Sequence, residues 1–259
     1  MQGGKYNKMD NRLKEGLLLA RKAGSFLKDS RNNPCVSQNF DYDIKLKQDR
    51  ESEEIIISGI EKKFPDDGFI SEERGEKKGL SGYIWIIDPL DGTVNYARGI
   101  PQCCISIACK KKDGDSFGIV YDFFREEIFR AVKGEGAFLN EKRIKTSDTQ
   151  NFKDAIICFG LMKSREDISS GLNVFSRLAL EVKKVRMMGA AALDLCYVAS
   201  GRTDFFLEIG LNVWDIAAGS IIVEEAGGEY REFLLRDKVV NYAGNRCLDV
   251  QALCQMIKT

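Results

Sequence analysis

The sequence predicts an α/β protein built as two intimately packed halves. Residues 1–146 read as helices on an antiparallel sheet, and residues 147–259 as alternating strands and helices. Three observations carry this. Two stretches near the N-terminus repeat apolar residues at helical spacing. Short apolar runs closed by turn residues follow from residue 83 onward. Near residue 146 the pattern changes, and strand-like and helix-like segments begin to alternate. A chain of 259 residues can bury a sizeable core, and no repeat, low-complexity tract or linker divides it.

From Asp10, which reads as an N-cap, Leu13, Leu17, Ala20 and Leu27 recur at helical spacing to about Lys28. Residues 1–8 are set aside from the fold reading, because Met9 would also serve as a start. SRNNPCVSQNFDYD, with Asn32, Asn33 and Pro34, reads as a loop. A second helix over roughly 49–63 turns Ile55, Ile56 and Ile60 inward and stops before FPDDG. GFISEE is a short strand ending in acids. YIWIID, residues 83–88, is almost wholly apolar, as a strand buried on both faces would be. CCISIACKK and GIVYDFFREEIFRAVKG are further strands, joined through KDGDS with its Asp-Gly turn signal. GEGAFLNEKRIK continues that pattern to about residue 146. Beyond it come a strand at AIICFG, a helix near 167–181, a short strand in VKKVRMMG, a helix from about Ala190 to Ala199, a strand at TDFFLEIG and a helix opening at Asp215.

Composition limits the chemistry. Lys plus Arg and Asp plus Glu number 39 each, so no net charge draws the chain to nucleic acid or a membrane surface. No apolar run has the length of a membrane span, and the N-terminus lacks the hydrophobic segment of a signal peptide, which points to a cytoplasmic protein. The eight cysteines contain no C-x-x-C pair and mostly sit in apolar runs, so they read as reduced, buried small hydrophobes. Histidine is absent. Its absence removes the Ser-His-Asp triad, the Cys-His dyad and histidine-ligated zinc. Chemistry must run on carboxylates, hydroxyls, amines or metals held by oxygen.

Acids stand at three predicted element ends: Glu72 and Glu73 after GFIS, Asp88 and Asp91 after YIWI, and Asp215 after NVW. Strand ends are where open sheets place ligands. In DPLDG, Pro89 fixes φ and Gly92 permits a tight reversal, so Asp88 and Asp91 can converge with the Leu90 carbonyl between them. Two carboxylates so close repel unless a cation neutralises them, and hard divalent ions prefer such oxygen ligands. Magnesium is the natural candidate. The bland alternative is a Pro-Asp-Gly turn whose acids only cap or face solvent. A helix beginning at TVNYA would add free backbone N–H groups suited to a phosphate oxygen.

These residues carry a resemblance. WIIDPLDGTVNYAR resembles the first signature of the inositol monophosphatase family, the magnesium-dependent, lithium-sensitive phosphomonoesterases, and WDIAAGSIIVEEAGG (214–228) resembles the second. GFISEE, the GIVYD to GEGAFLN region and GAAALDLCYVASGRTDFFLE are also similar to it, so the likeness runs from residue 10 to the C-terminus. The resemblance implies a layered αβαβα sandwich like those of inositol monophosphatase and fructose-1,6-bisphosphatase, and a homodimer. It implies two Mg²⁺ ions, with a third in doubt, held by Glu72, Asp88, the Leu90 carbonyl, Asp91 and Asp215. Glu72 would orient the attacking water, and the Thr93 hydroxyl paired with Asp49 would help activate it. Glu73 ranks behind Glu72. The backbone of Gly92 and Thr93 would hold the phosphate, while Gly189, Ala190, Ala191 and Glu208 match positions that contact the sugar or inositol ring.

The implied reaction is hydrolysis of inositol 1-phosphate or a similar sugar phosphate, a small-molecule ester, by metal-activated water. Fructose-1,6-bisphosphatase or a dual enzyme is the nearest alternative. Phosphatases of 3′-phosphoadenosine phosphate or NADP, and an added regulatory binding role, stand behind it. Four positions depart from the family pattern: Gln38 aligns with a lysine, Leu46 with a threonine, Ala190 with a serine or threonine, and Phe123 with a proline expected to matter only to a turn. Trp85 and Trp214 read as core anchors, Lys110–Lys112 as a solvated strand end, and Arg186 and Arg202 as surface or capping residues.

Overall fold

Two long helices cover one face of a large sheet. In the computed structural model, which describes residues 6–112, 114–161, 165–235 and 238–258, α1 spans Tyr6–Ser30 and α2 Lys47–Lys63. Asp10 therefore lies inside α1 rather than capping it, and accepts a hydrogen bond from Lys14 one turn on at 2.8 Å. Of the segment set aside at the N-terminus, residues 1–5 fall outside the described residues, as does Asp113 of the Asp-Gly turn.

The segment read as a loop contains a hairpin, β1 (Val36–Asn39) and β2 (Ile44–Leu46), paired antiparallel. Sequence gave no alternation to find, because all four residues of β1 are exposed. Gln48 anchors this hairpin to α2: its amide donates to Asn33 O at 2.8 Å and its Oε1 accepts from Cys35 N at 3.1 Å.

The large sheet holds β3 (Gly68–Ser71), β4 (Gly75–Lys77), β5 (Tyr83–Asp91), β6 (Cys104–Lys111), β7 (Ser116–Asp122), β8 (Glu127–Val132), β9 (Gly136–Leu139) and β10 (Lys142–Arg143). Their spatial order is β10-β9-β8-β7-β6-β5-β3-β4. All pairs are antiparallel except β3 with β5. The small sheet has β11 (Ile156–Phe159), β12 (Lys184–Arg186), β13 (Phe205–Ile209), β14 (Glu229–Leu235) and β15 (Lys238–Gly244), ordered β12-β11-β13-β15-β14. Here β11 runs parallel to β12 and β13, and the other pairs are antiparallel.

Period-two alternation sorts the strands into layers. Trp85, Ile87, Ile105, Ile107, Phe117 and Ile119 pack against Leu19, Ala20, Ile56 and Ile60 of α1 and α2. Ile86, Ala108, Val120 and Phe129 face the other way, onto α5 (Ala191–Ala199) and α6 (Val213–Glu225). Those two helices also meet Cys158, Phe206 and Ala243 of the small sheet. The small sheet turns Ile157, Phe159, Phe205 and Leu207 onto α4 (Arg165–Glu181) and α7 (Val250–Lys258). The outcome is a five-layer αβαβα sandwich with the α5–α6 pair at its centre. Among the described residues no helix is long and apolar enough to cross a membrane.

Buried polar groups are matched across these layers. Asp67 accepts two hydrogen bonds from Arg12, at 2.8 and 2.7 Å, one from Trp85 Nε1 at 2.9 Å and one from Ser81 Oγ at 2.6 Å. Trp85 is thus a fully buried anchor, as expected. Phe123, expected to affect only a turn, is fully buried against Tyr96 and Phe124 and helps seat the short helix after β5. Cys103, Cys104, Cys109, Cys158 and Cys196 are free and buried, whereas Cys35 and Cys247 are exposed.

Candidate active site

The site grows from a fault in the large sheet. On β5, Asp88 pairs with Ser106 and Asp91 with Cys104, so Pro89 and Leu90 together oppose the single residue Ile105. This is a β-bulge, which tolerates Pro89 because a bulged residue needs no ladder N–H. The bulge turns Asp88 and Asp91 into one region. Asp88 Oδ1 accepts from Leu90 N at 3.0 Å, and Ser52 Oγ, from α2, donates to Pro89 O at 2.8 Å. Gly92 follows with φ 86°, and a side chain there would lie 2.7 Å from Gln102 O and 3.1 Å from Cys103 Cα. Only glycine lets the chain reverse there into α3 (Thr93–Ala97).

Other elements bring their acids to the same place. The parallel β3–β5 register ends at Ser71 beside Ile87, so Glu72 is delivered next to Asp88. Ser106, the partner of Asp88, donates to Trp214 O at 3.4 Å and holds the start of α6, with Asp215, against β6. Asp91 Oδ2 accepts from Ala192 N at 2.8 Å, in the first turn of α5. Asn95 of α3 donates to Gln102 O and Met188 O, both at 2.8 Å, and so ties α3 to the Gly189 loop ahead of α5. Burial first, then the charges of Glu72, Asp91 and Asp215, push the Asp88 carboxyl well above the ordinary carboxylate range.

Asp49 and Asp215 use one device. Each is the third residue of its helix and accepts the N–H of the residue before that helix, Leu46 N at 2.6 Å and Asn212 N at 2.7 Å. In Asp49 this leaves Oδ1 buried without a partner. The Thr93 hydroxyl donates to Leu90 O at 3.0 Å, so the Thr93–Asp49 pairing implied by the resemblance is not made. A carbonyl has two lone pairs, so Leu90 O retains one for another ligand.

Burial, followed by the charges of Glu72 and Glu73, raises the Asp49 carboxyl to about 7, against the opposing pull of Leu46 N–H and Lys45. The folded protein therefore holds this proton to higher pH than the unfolded chain. The resulting stabilisation is present at low pH and is lost as pH rises from 3.8 towards about 7. In urea titrations with a chelator, the Asp49-dependent part of the stability should fall between about pH 4 and about pH 7. Asp49→Asn, which keeps an oxygen for Leu46 N, should flatten that fall, and an unaltered slope would refute the assignment.

Glu73 is occupied elsewhere. Lys45 Nζ lies 2.5 Å from its Oε1 and Arg50 Nε 3.4 Å from its Oε2, while its N–H donates to Glu53 at 3.0 Å. No local signal in the sequence marks Lys45, which faces Gln38 across the hairpin. Gly189 is exposed with φ 77°, and Ala190 and Ala191 are buried at the start of α5. Glu208 is half-buried on β13, its carboxylate packed over Gly160. Arg202 is committed to Glu127 by bonds of 2.7 and 2.6 Å, and Arg186 donates to Val185 O.

Among the described residues, no three His, Cys, Asp or Glu side chains close into a ready-made metal cage. The donor chemistry nonetheless fits a hard divalent ion: Asp88 senses three neighbouring acids, and the buried Asp49 Oδ1 has no partner. The five-layer sandwich thus gathers acids at a bulge in the large sheet and at the starts of α2 and α6, in a chain without histidine. The model of the inositol monophosphatase family matches residues 8–246. The chain belongs to that family and is a phosphomonoesterase of its superfamily. It is similar to the Nus factor SuhB of Pasteurella multocida, 39% identical over 233 residues, covering 87% of this chain and 86% of the relative. Among solved structures it resembles the extragenic suppressor protein suhB from Bartonella henselae, with TM-score 0.87, 34% identity and coverage of 96% and 99%. It also resembles the Thermotoga maritima IMPase, with TM-score 0.84, 32% identity and coverage of 95% and 96%.

Proposed function

We propose that this protein hydrolyses inositol 1-phosphate or a closely similar sugar phosphate in a magnesium-dependent reaction. The observation that carries the reading is the neighbourhood of Asp88, where the charges of Glu72, Asp91 and Asp215 meet from three separate parts of the chain. In this reading Glu72, Asp88, Asp91, Asp215 and the Leu90 carbonyl hold two Mg²⁺ ions. Bound magnesium would neutralise phosphate charge and acidify the attacking water.

The chain's own groups do the positioning. Leu90 N–H and Ala192 N–H fix the Asp88 and Asp91 carboxylates, so neither has to be ordered when substrate arrives. Glu72 orients the attacking water, and the backbone at Gly92 and Thr93 receives a phosphate oxygen. Asn95 sets the Gly189 loop against α3, so that Gly189, Ala190, Ala191 and Glu208 meet the leaving alcohol from the C-terminal half. By family resemblance the protein works as a homodimer.

Purified protein with excess Mg²⁺ should release phosphate from inositol 1-phosphate, and Li⁺ should inhibit it. Failure of a folded sample across a panel that includes fructose 1,6-bisphosphate, 3′-phosphoadenosine phosphate and NADP would sink the proposal; relative kcat/KM across the panel ranks the alternatives. The relative named a Nus factor supports a second reading, a Nus-factor role beside catalysis. That role should survive Asp91→Asn if it is independent of turnover.

A further inference from the structure

We propose that Lys45 is a tethered cation of the acid site, and that its charge weakens the binding of a divalent ion on the Glu72 side. The proposal rests on the metal reading given above. Lys45 is the middle residue of the hairpin strand β2, two positions before α2 begins, and its side chain is only 25% exposed. Its ammonium sits against the buried Glu73 carboxylate, and the negative charges of Glu72 and Asp49 also act on it.

Glu73 does not need Lys45 for neutrality. Arg50 reaches the other oxygen of the same carboxylate from the solvent side. Of the two cations Lys45 is the less exposed, and its charge reaches acids beyond Glu73. Those acids are Glu72 and Asp49. Asp49 adds an independent sign that something else belongs here, since its Oδ1 is buried without a hydrogen-bond partner.

A fixed ammonium and a mobile divalent ion that draw on the same negative potential repel each other. Across a few ångströms of partly buried protein that repulsion changes affinity by roughly tenfold. A lysine that only pinned the hairpin would have the opposite consequence: its removal would loosen the site and weaken ion binding. The direction of the change therefore separates the two roles.

The test is equilibrium Mg²⁺ binding by calorimetry, without substrate, on the full chain and on Lys45→Met and Lys45→Arg. Lys45→Met should bind Mg²⁺ roughly tenfold more tightly than the wild type at low ionic strength, with the gap narrowing in high salt. Lys45→Arg, which keeps the charge, should stay within about twofold of it. If Lys45→Met does not fold, Lys45→Gln carries the same expectation. Wild-type binding that Lys45→Met leaves unchanged or weakens overturns the role of Lys45 alone. Absence of Mg²⁺ binding by the folded wild type overturns both this proposal and the metal reading beneath it.

Discussion

Asp91→Asn is expected to lower kcat on inositol 1-phosphate by about a thousandfold or more, with little change in thermal midpoint. The substitution removes a charge and keeps the shape. An amide oxygen can still accept the Ala192 N–H that Asp91 Oδ2 accepts at 2.8 Å, so the first turn of α5 stays capped. What is lost is one negative charge beside Asp88, and with it attraction for a divalent ion. Steady-state kinetics beside a melting curve separates the two effects. Activity within about tenfold of wild type would remove Asp91 from the catalytic site. Asp91→Ala should lose the same activity and also about 1 kcal/mol of stability, because α5 would then start uncapped.

Gly118→Ala should cause a large loss of stability for a single added methyl group. Gly118 lies on β7, where the large sheet meets α6, and a Cβ there would stand 2.4 Å from Ala218 O and 3.0 Å from Ala218 Cα. Those are backbone atoms, so no side-chain rotation relieves the clash, and sheet and helix must separate. A loss of about 3 kcal/mol in urea titration is expected. Activity should fall with it, because α6 carries Asp215 at its start. A loss below about 1 kcal/mol would show that α6 can slide on the sheet without cost.

Much of this was legible in the chain. Trp85 and Ile87 go to one face of β5 and Ile86 to the other, so the unbroken apolar run marked a strand covered by helices on both sides. Asp88 and Asp91 were visible because the device that joins them, a proline and a glycine around a short turn, is local. Glu72 and Asp215 could be suspected from their places at element ends, but only the β3–β5 register and the Ser106–Trp214 contact bring them together. Lys45 left no trace, since its meaning depends on Glu72, Glu73 and Asp49, which converge through tertiary structure. The hairpin at residues 36–46 went unread because its first strand faces solvent and is held by backbone pairing and Gln48. The sequence pattern carries no assignment beyond the helix opening at Asp215, so β14, β15 and α7 lie outside it. On β14 the exposure alternates irregularly, and its place is set by pairing with β15.

The hydrogen bond from Ala192 to Asp91 spans 101 positions in the chain and makes one oxygen serve two masters. A carboxylate has lone pairs for both, so the bond that caps the opening turn of α5 also fixes the carboxylate that would meet a cation, and order in that helix would be linked to occupancy of the acid site. Linkage of this kind is reciprocal. Sequence changes that loosen the start of α5, without touching a single acid, would therefore lower the affinity of the site for an ion, so that the central helix layer would tune ion binding from a distance.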